Sequence, residues 1–304
     1  MTSMVPAPLG VVAHFNLLER LEPSGPGELF RARDTRLGRT VAVRILPADF
    51  APTADARAAL VERATSWTKL SHPNVITLFD AGVHDNQVYL AFEFLNGQSL
   101  RAEMAGRPLN VRRAVETAIQ ISDALATAHS AGFVHGGLSP DSIVITARGH
   151  AKIPAFELAA HGGFEHSGGE VKLHDYDSPE EARGQTPDDR SDLYSVGAIL
   201  FEMLTARRPM HRGAAAPSAS NPHVVKELDE VVLKAVAPNP DSRYHAVATF
   251  ASELRAIVAL IDAKGGAGDE EDVPEASSTG IGKVLMVAAV ILVLGAVVWF
   301  ALRP

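Results

Sequence analysis

Three histidines and three acids between residues 161 and 175 have the side-chain types of a metal site. They are His161, Glu165, His166, Glu170, His174 and Asp175. Imidazole nitrogens and carboxylate oxygens bind divalent metals, but the spacing of these residues matches no standard ligand motif. Because the segment is rich in glycine, a solvated loop is favoured over a rigid cage. We therefore expect no metal site here.

Composition excludes other kinds of chemistry. The chain has no cysteine, which rules out disulfides and thiolate metal sites. Its net charge of -8 argues against binding to nucleic acid, since a basic face is needed to neutralise phosphates. With 304 residues and 46% hydrophobic content, it is long enough for two lobes and an appendage.

The predicted secondary structure changes near Gly97 from mainly strands to mainly helices. Short apolar alternations bounded by turn residues predict antiparallel strands at 15–21, 29–32, 40–46, 76–81 and 88–94, with a helix at 55–70. Apolar residues at helical spacing then predict helices at 111–130, 190–205, 224–237 and 244–263. This order predicts an α+β fold with a sheet-rich first lobe and a helical second lobe.

The C-terminal residues have the composition of a membrane anchor. Residues 284–302 are uncharged and nearly all apolar, and about 19 residues at about 1.5 Å each span a bilayer core. We expect a transmembrane helix at 283–302 after an acidic, Gly/Ser-rich linker at 263–282. The first 12 residues are expected to be flexible and carry no export signal, which predicts a cytoplasmic domain on a single-pass membrane protein.

Two long motifs resemble one protein family. They are YDSPEEARG at 176–184 and DRSDLYSVGAILFEMLT at 189–205, followed by Pro209. Shorter segments occur in the family's order: LFRARD at 29–34, VAVR at 41–44, LSHPNV at 70–75, EFLNGQSL at 93–100 and NPDSRY at 239–244. From about residue 15 to 262 the chain resembles bacterial Ser/Thr protein kinases of the Hanks type. The resemblance implies a bilobal protein-kinase-like fold, with an N-lobe at about 13–95 and a C-lobe at about 96–262.

The family's catalytic loop has the pattern H-R-D-L-K-P-x-N, in which Asp accepts the substrate proton and Asn holds magnesium. The corresponding segment here is HGGLSPDS at 135–142. The resemblance places Gly137 at the Asp position, Ser139 at the Lys position and Ser142 at the Asn position. Glycine cannot accept a proton, and a neutral serine is a poor replacement for the metal-holding amide.

The phosphate-binding positions of the family are also changed. Its three loop glycines correspond to Glu22, Ser24 and Gly27. A carboxylate at the first of these positions would repel phosphate. Arg44 stands at the strand lysine, where it keeps the charge but not the shape. Arg63 stands at the partner glutamate of that lysine, although a one-residue shift of the helix would bring in Glu62.

The family's magnesium-binding D-F-G motif corresponds to Ala155, Phe156 and Glu157. Alanine has no ligand atom, and Glu157 lies at the glycine position. Leu173 replaces the threonine whose hydroxyl bonds the catalytic aspartate. Three more of the family's chemical positions are therefore changed in this region, namely those at Ala155, Glu157 and Leu173. The positions that maintain the family's fold are kept. Those positions are His135, Phe156, Trp67 and Leu78 in an apolar column, Asp192 beneath the catalytic loop, and the Glu180–Arg243 ion pair.

Because the family's chemical positions are changed and its structural positions are kept, the resemblance predicts a pseudokinase. Such a protein does not transfer phosphate and is therefore not an enzyme. We expect a membrane-tethered scaffold or allosteric regulator that binds a protein partner, such as an active kinase. No catalytic residue, cofactor or metal is expected. The degenerate positions are Arg44, Arg63, Gly137, Ser139, Ser142, Ala155 and Glu157.

Two alternatives remain open. The first is an atypical active Ser/Thr kinase in which Asp141, Glu157 or Asp175 replaces lost groups. The second is ATP binding without magnesium, on residues that resemble the family's nucleotide site. Those residues are Leu29, Ala42, Arg44, Glu93 and Val144. Ser167 is a candidate phosphoacceptor for another kinase.

Overall fold

The computed structural model describes residues 9–21, 27–154, 175–209 and 214–270, with side chains as far as Lys264. One compact unit comprises Met1–Ala259 and contains all the strands described below. The second unit comprises Leu260–Pro304, and its described part is helical.

A six-stranded antiparallel sheet forms the N-terminal lobe. Its strands are β1 Gly10–Val12, β2 Phe15–Leu21, β3 Glu28–Asp34, β4 Thr40–Ile45, β5 Leu78–His84 and β6 Gln87–Glu93, in the order β1-β2-β3-β4-β6-β5. Side chains alternate between the two faces of a strand. Accordingly Phe30 and Ala32 of β3, with Val41 and Val43 of β4, are buried in one core cluster. The residues between them lie on the opposite face.

Helix α1, Ala54–Trp67, is the N-terminal lobe's helix and packs on β5. It begins where the Thr53 hydroxyl accepts a hydrogen bond from the amide of Ala56 at 3.1 Å. Its buried residues Leu60, Ala64 and Trp67 recur at helical spacing and so form a single stripe.

The C-terminal lobe contains a small sheet and the remaining helices. The sheet has the order β7 Gly97–Ser99, β8 Val144–Thr146 and β9 Ala151–Lys152. The helices are α2 Leu100–Met104, α3 Val111–Ser130, α4 Asp189–Thr205, α5 Lys226–Ala235 and α6 Val247–Glu270. Every residue of α4 from Ser191 onward is buried, because α3 and α5 both pack against it. Helix α4 is therefore the centre of this lobe.

The structure confirms the two-lobed α+β architecture. It also contains elements that the sequence did not predict, namely β1 in the N-terminal segment, the three strands of the small sheet, and α2. Helix α6 continues to Glu270, inside the segment expected to be a linker. Among the described residues, no helix is long and apolar enough to cross a membrane. The expected transmembrane segment at 283–302 lies outside these residues.

Candidate active site

The loop between α3 and β8 is anchored on the central helix by Asp192. One carboxylate oxygen of Asp192 accepts the amide of His135 at 2.7 Å, and the other accepts the amide of Gly136 at 2.8 Å. The ring of His129 contacts the first oxygen at 2.7 Å. Asp192 is 1% exposed, so these contacts compensate the burial of its charge. The carboxylate thus has the role that the resemblance implied.

His135 is completely buried beside this carboxylate. Burial lowers the pKa of His135 below its ordinary value, while the charge of Asp192 acts in the opposite direction. The lowered pKa favours a neutral ring. His135 therefore contributes to the packing beneath the loop, as expected from its position.

One polar side chain of the loop, that of Ser142, forms hydrogen bonds with the loop's own backbone. The Ser142 hydroxyl donates to the carbonyl of Ser139 at 2.9 Å and accepts the amide of Ser139 at 3.3 Å. Gly136 has φ of 58°, and a Cβ atom there would lie 3.1 Å from Pro187 Cγ. Gly137 provides no side chain at the position expected for the proton acceptor. The hydroxyl of Ser142 stabilises the turn of the loop.

One face of the N-terminal sheet carries three of the predicted nucleotide-site residues, Leu29, Ala42 and Arg44. Leu29 is paired with Arg44, and Arg31 is paired with Ala42, across β3 and β4. Cross-strand partners lie on the same face of a sheet. Leu29, Ala42 and Arg44 are half-buried, unlike the core residues between them. This face is the one opposite the core cluster.

The remaining predicted nucleotide-site residues are Val144 and Glu93. Val144 is half-buried on β8 of the other lobe. The carboxylate of Glu93 accepts a hydrogen bond from the amide of Thr77 at 3.0 Å and contacts Lys152 Nζ at 2.5 Å. Val144 thus offers apolar surface suited to an adenine ring, whereas the carboxylate of Glu93 is held by Thr77 and Lys152.

Helix α1 presents an arginine where the family has glutamate. Arg63 is half-buried next to the helix's packed stripe, whereas Glu62 is exposed. The helix thus turns Arg63 rather than Glu62 towards its packed side. Gly27, at the third loop-glycine position, has φ of 83°, and a Cβ there would lie 2.1 Å from the carbonyl oxygen of Ile45. Only glycine fits at that position.

Several predicted positions lie outside the described residues. They are Glu22, Ser24, Ala155, Phe156, Glu157, His161, Glu165, His166, Ser167, Glu170, Leu173 and His174. Within the described ranges, no group of three or more His, Asp or Glu residues is arranged to hold a metal ion. Ser142 is the one predicted magnesium-ligand position whose geometry is described.

The ion pair expected beneath the activation segment is present. Arg243 Nη1 and Nη2 contact the two carboxylate oxygens of Glu180 at 2.7 and 2.8 Å. Burial by itself raises the pKa of Glu180, but the hydrogen bonds from Arg243 outweigh it and lower this pKa to about 2. The Ser191 hydroxyl also donates to Glu180 at 2.9 Å. The pair joins the segment after residue 175 to α4 and to the turn before α6.

A second polar cluster was not predicted. Arg101 Nη1 donates to Glu202 at 2.7 Å, and Arg101 Nε lies 3.4 Å from Asp141 of the loop. Arg101 also donates to the Tyr176 hydroxyl, which donates to the second oxygen of Glu202. Burial and the bond to Glu202 raise the pKa of Tyr176 to about 12. We call these four residues the Arg101 cluster.

Asp175, another candidate replacement group, pairs with Arg208. The Arg208 guanidinium also lies 5.6 Å from the centre of the Tyr176 ring. Asp175 is thus at the edge of the Arg101 cluster, whereas Asp141 is in the catalytic-type loop itself.

Comparisons with known proteins agree with this geometry. Residues 24–260 match the protein kinase domain family. The chain is 35% identical over 254 residues to a probable serine/threonine-protein kinase of Streptomyces coelicolor, covering 76% of this chain and 37% of that protein. It is 30% identical over 262 residues to serine/threonine-protein kinase PrkC of Bacillus subtilis, covering 81% and 40%.

A third relative is serine/threonine-protein kinase PknB of Mycobacterium tuberculosis, 31% identical over 263 residues, covering 79% of this chain and 42% of that protein. The chain therefore spans about two fifths of the length of these relatives. Among solved structures, the kinase domain of Mycobacterium tuberculosis PknI has a TM-score of 0.69 at 22% identity, covering 84% of this chain and all of that one. This likeness shows the fold.

The expectation that the chain is not an enzyme is wrong. Its relatives over the matched region are named as serine/threonine-protein kinases, the first of them as a probable one. The sequence argument judged activity from side chains at single family positions, whereas phosphoryl transfer depends on how the whole site positions the reactants and stabilises their charge. The chain belongs to the protein kinase domain family, with bacterial Ser/Thr protein kinases as its homologues.

Proposed function

We propose that this chain is an atypical Ser/Thr protein kinase that binds ATP and transfers its terminal phosphoryl group to a protein hydroxyl. The observation that carries the proposal is the match of residues 24–260 to the protein kinase domain, together with relatives at 30–35% identity that are named as Ser/Thr kinases. The protein that accepts the phosphate is the partner implied by this activity.

The geometry of the binding face supports ATP as the donor. Leu29 and Ala42 offer half-buried apolar surface for the adenine, and Arg44 provides a cation on the same face. Arginine binds phosphate oxygens through its planar donors. Arg44 is therefore the residue that we expect to hold the phosphates.

The proton of the attacking hydroxyl needs an acceptor other than Gly137. Asp141 is our candidate, because it lies in the same loop and its side chain is 61% exposed to an incoming substrate. In protein kinases a carboxylate of this loop accepts the hydroxyl proton, and Asp141 supplies a carboxylate four positions along the same loop. A displaced carboxylate can therefore support slow transfer.

The test is incorporation of radiolabel from ATP into protein by the full chain with magnesium. We expect label on serine or threonine, its loss in Arg44→Ala, and a decrease of at least about tenfold in Asp141→Asn, since general bases contribute about 10²-fold or more. Asp85→Asn is the matched control, because Asp85 is an 89% exposed carboxylate on the β5–β6 turn. If the full chain binds ATP but transfers no label to any protein, the proposal is overturned.

A second candidate is ATP binding that does not require magnesium. It is favoured by Ser142, whose hydroxyl is used within the loop. Thermal unfolding of the full chain with ATP, with and without magnesium, separates the two: an increase in Tm only with the metal supports the kinase, and an equal increase without it supports the second candidate.

Membrane attachment through residues 283–302 is part of the proposal. The apolar character of this segment supports it. Sedimentation of the full chain with membranes, lost on truncation after residue 282, is the expected result. A full chain that remains in the supernatant would contradict it.

A further inference from the structure

Positive charge is concentrated around the turn between β3 and β4. Residues 31–39 contain four arginines and one acid, in a chain whose net charge is -8. Arg33 and Arg36 are exposed, and the side chain of Arg39 is 37% exposed. None of the ion pairs in the described part of the chain includes Arg33 or Arg36. We call residues 33–39 the basic tip.

The one acid of the basic tip, Asp34, is used inside the turn. Its Oδ1 accepts the amide of Arg36 at 2.9 Å and the amide of Leu37 at 3.0 Å, and its Oδ2 accepts from Arg39 Nε at 3.3 Å. Asp34 is 1% exposed. The charge that the basic tip presents to its surroundings is therefore positive.

The same turn presents a leucine to solvent. Leu37 is 68% exposed. The backbone around it is closed by hydrogen bonds from the amide of Asp34 to the carbonyl of Arg39 and from the amide of Gly38 to the carbonyl of Asp34, both at 2.9 Å. Gly38 has φ of 65°, which favours glycine. Because the turn is already ordered, a partner that contacts Leu37 does not have to order it.

The turn between β1 and β2 lies against the basic tip. The amide and the hydroxyl of Thr35 both donate to the carbonyl of His14, at 3.0 and 2.8 Å. Val11 and Ala13 are exposed beside this contact, and residues 9–18 contain no acid. The neighbouring turn thus adds apolar surface and no negative charge.

Strand β5 also contacts the basic tip. The guanidinium of Arg39 lies 3.5 Å from the centre of the Phe79 ring. Asp80, the next residue, is half-buried, and its carboxylate accepts the Tyr89 hydroxyl at 3.0 Å. This acid is therefore bonded within the lobe, as Asp34 is within the turn.

We propose that the basic tip docks the N-terminal lobe on an anionic membrane surface, with Leu37 in the headgroup region and Arg33 and Arg36 against lipid phosphates and carboxylates. Arginines around an exposed leucine are the combination that binds at a membrane interface, and cations are attracted to anionic lipid. A stable protein interface uses about 20–30 residues a side, far more than the seven of the tip. The docking requires neither phosphoryl transfer nor attachment through residues 283–302.

The test uses the full chain with lipid vesicles. The chain has no cysteine, so Thr35→Cys provides a single site for a fluorophore and keeps the amide bond to His14. We expect a nitroxide-bearing lipid to quench this label on vesicles that contain phosphatidylserine, but not on vesicles of phosphatidylcholine alone. The quenching should disappear between about 0.1 and 1 M salt, because the Debye length falls from about 10 to 3 Å.

A label at Val83→Cys is the positional control. Val83 is 47% exposed and pairs with Val88 next to the β5–β6 turn. That turn lies at the opposite end of the sheet, since β4 runs from its pairing with Glu93 to its pairing with Tyr89. We expect no quenching of this label on either kind of vesicle.

Substitutions in the basic tip separate charge from apolar contact. The double variant Arg33→Gln and Arg36→Gln should lower the ratio of docked to undocked chains about tenfold or more, since each cation near an anionic surface contributes several-fold. Its control is Arg107→Gln with Arg148→Gln, which changes the net charge equally at exposed sites of the C-terminal lobe. Leu37→Ser should lower the ratio about fivefold, and Leu37→Met should restore it. All these chains should keep the same Tm, because the substituted side chains are exposed.

Three results would overturn the docking. The first is equal quenching with and without phosphatidylserine, and the second is an equal loss in the tip and control double variants. The third is energy transfer between labelled chains without quenching by lipid, which indicates that a second copy covers the tip. Docking by a chain that transfers no phosphate supports the proposal and counts only against the proposed function.

Discussion

Arg243 is fully buried, so its charge is tolerated only because Glu180 lies against it. The guanidinium meets both carboxylate oxygens, and its Nε donates to the carbonyl of Ala237 at 2.8 Å. A buried ion pair contributes little net stability compared with an apolar pair, but breaking one leaves an uncompensated charge. The pair's role is therefore clearest when a single partner is removed.

We expect Arg243→Met to lower the free energy of unfolding by about 3–5 kcal/mol, because the carboxylate of Glu180 loses its cation. Urea denaturation of the full chain measures this change. The double variant with Glu180→Gln should recover part of the loss, since no buried charge then remains. A double variant as unstable as the sum of the two single variants would contradict this account.

The same pair predicts a dependence of stability on pH. The pKa of Glu180 is lowered from 4.5 to about 2 in the folded chain, so the unfolded state binds the proton more readily. The contribution of Glu180 to stability is therefore complete above about pH 5 and is lost as the pH falls towards 2. The decrease should be smaller in the Glu180→Gln chain.

At the scale of elements, the catalytic-type loop depends on one helix residue. Asp192 of α4 holds two successive loop amides and the ring of His129 with its two oxygens. Since α4 is buried nearly throughout, the loop is fixed to the most protected helix of the molecule. This anchoring on α4 uses backbone amides of the loop, so it does not depend on the side chains at the family's chemical positions.

Asp192→Asn should detach this loop from α4. An asparagine offers one acceptor oxygen and places an amide donor against a loop N–H, at a cost of about 1–3 kcal/mol. We expect the amides of His135 and Gly136 to exchange faster in this variant. Asp189→Asn on the same helix is the control, because the Asp189 side chain is 51% exposed. Equal effects of the two substitutions would argue against the anchoring role.

The long elements could be predicted from the sequence, and the short ones could not. Helix α3 has the predicted bounds, because its apolar residues recur over 20 positions and Asn110 caps its first turn through the amide of Arg113 at 3.2 Å. Strands β7, β8 and β9 contain only two or three residues each, too few to show a periodicity. These short strands form only because the folded lobe brings them together.

Some contacts of the candidate site could likewise be predicted from the sequence, and others could not. Asp192 and the Glu180–Arg243 pair were found from sequence motifs, because motifs preserve the order of residues along the chain. The link between Glu93 and Lys152 spans 59 positions and was not anticipated. Such contacts depend on the tertiary arrangement of separate elements, about which residue types and local spacing contain no information.

At the scale of the whole molecule, the Arg101 cluster joins parts that are far apart in the chain. Tyr176 is 75 positions from Arg101, and Glu202 is 101 positions from it. Through Asp141 the cluster also reaches the catalytic-type loop. Arg101 thereby connects α2, the loop, the segment after residue 175 and the central helix α4.

We expect Arg101→Met to lower the free energy of unfolding by about 1.5–3 kcal/mol, because among the described residues only Tyr176 then donates to the nearly buried carboxylate of Glu202. Denaturant titration measures the change. Arg112→Met is the control: its exposed pair with Glu116 on α3 contributes about 0.5 kcal/mol or less. Adding Glu202→Gln to Arg101→Met should return part of the stability, because the unbalanced carboxylate becomes neutral. If the added substitution lowers stability further, the cost of Arg101→Met does not arise from the charge of Glu202.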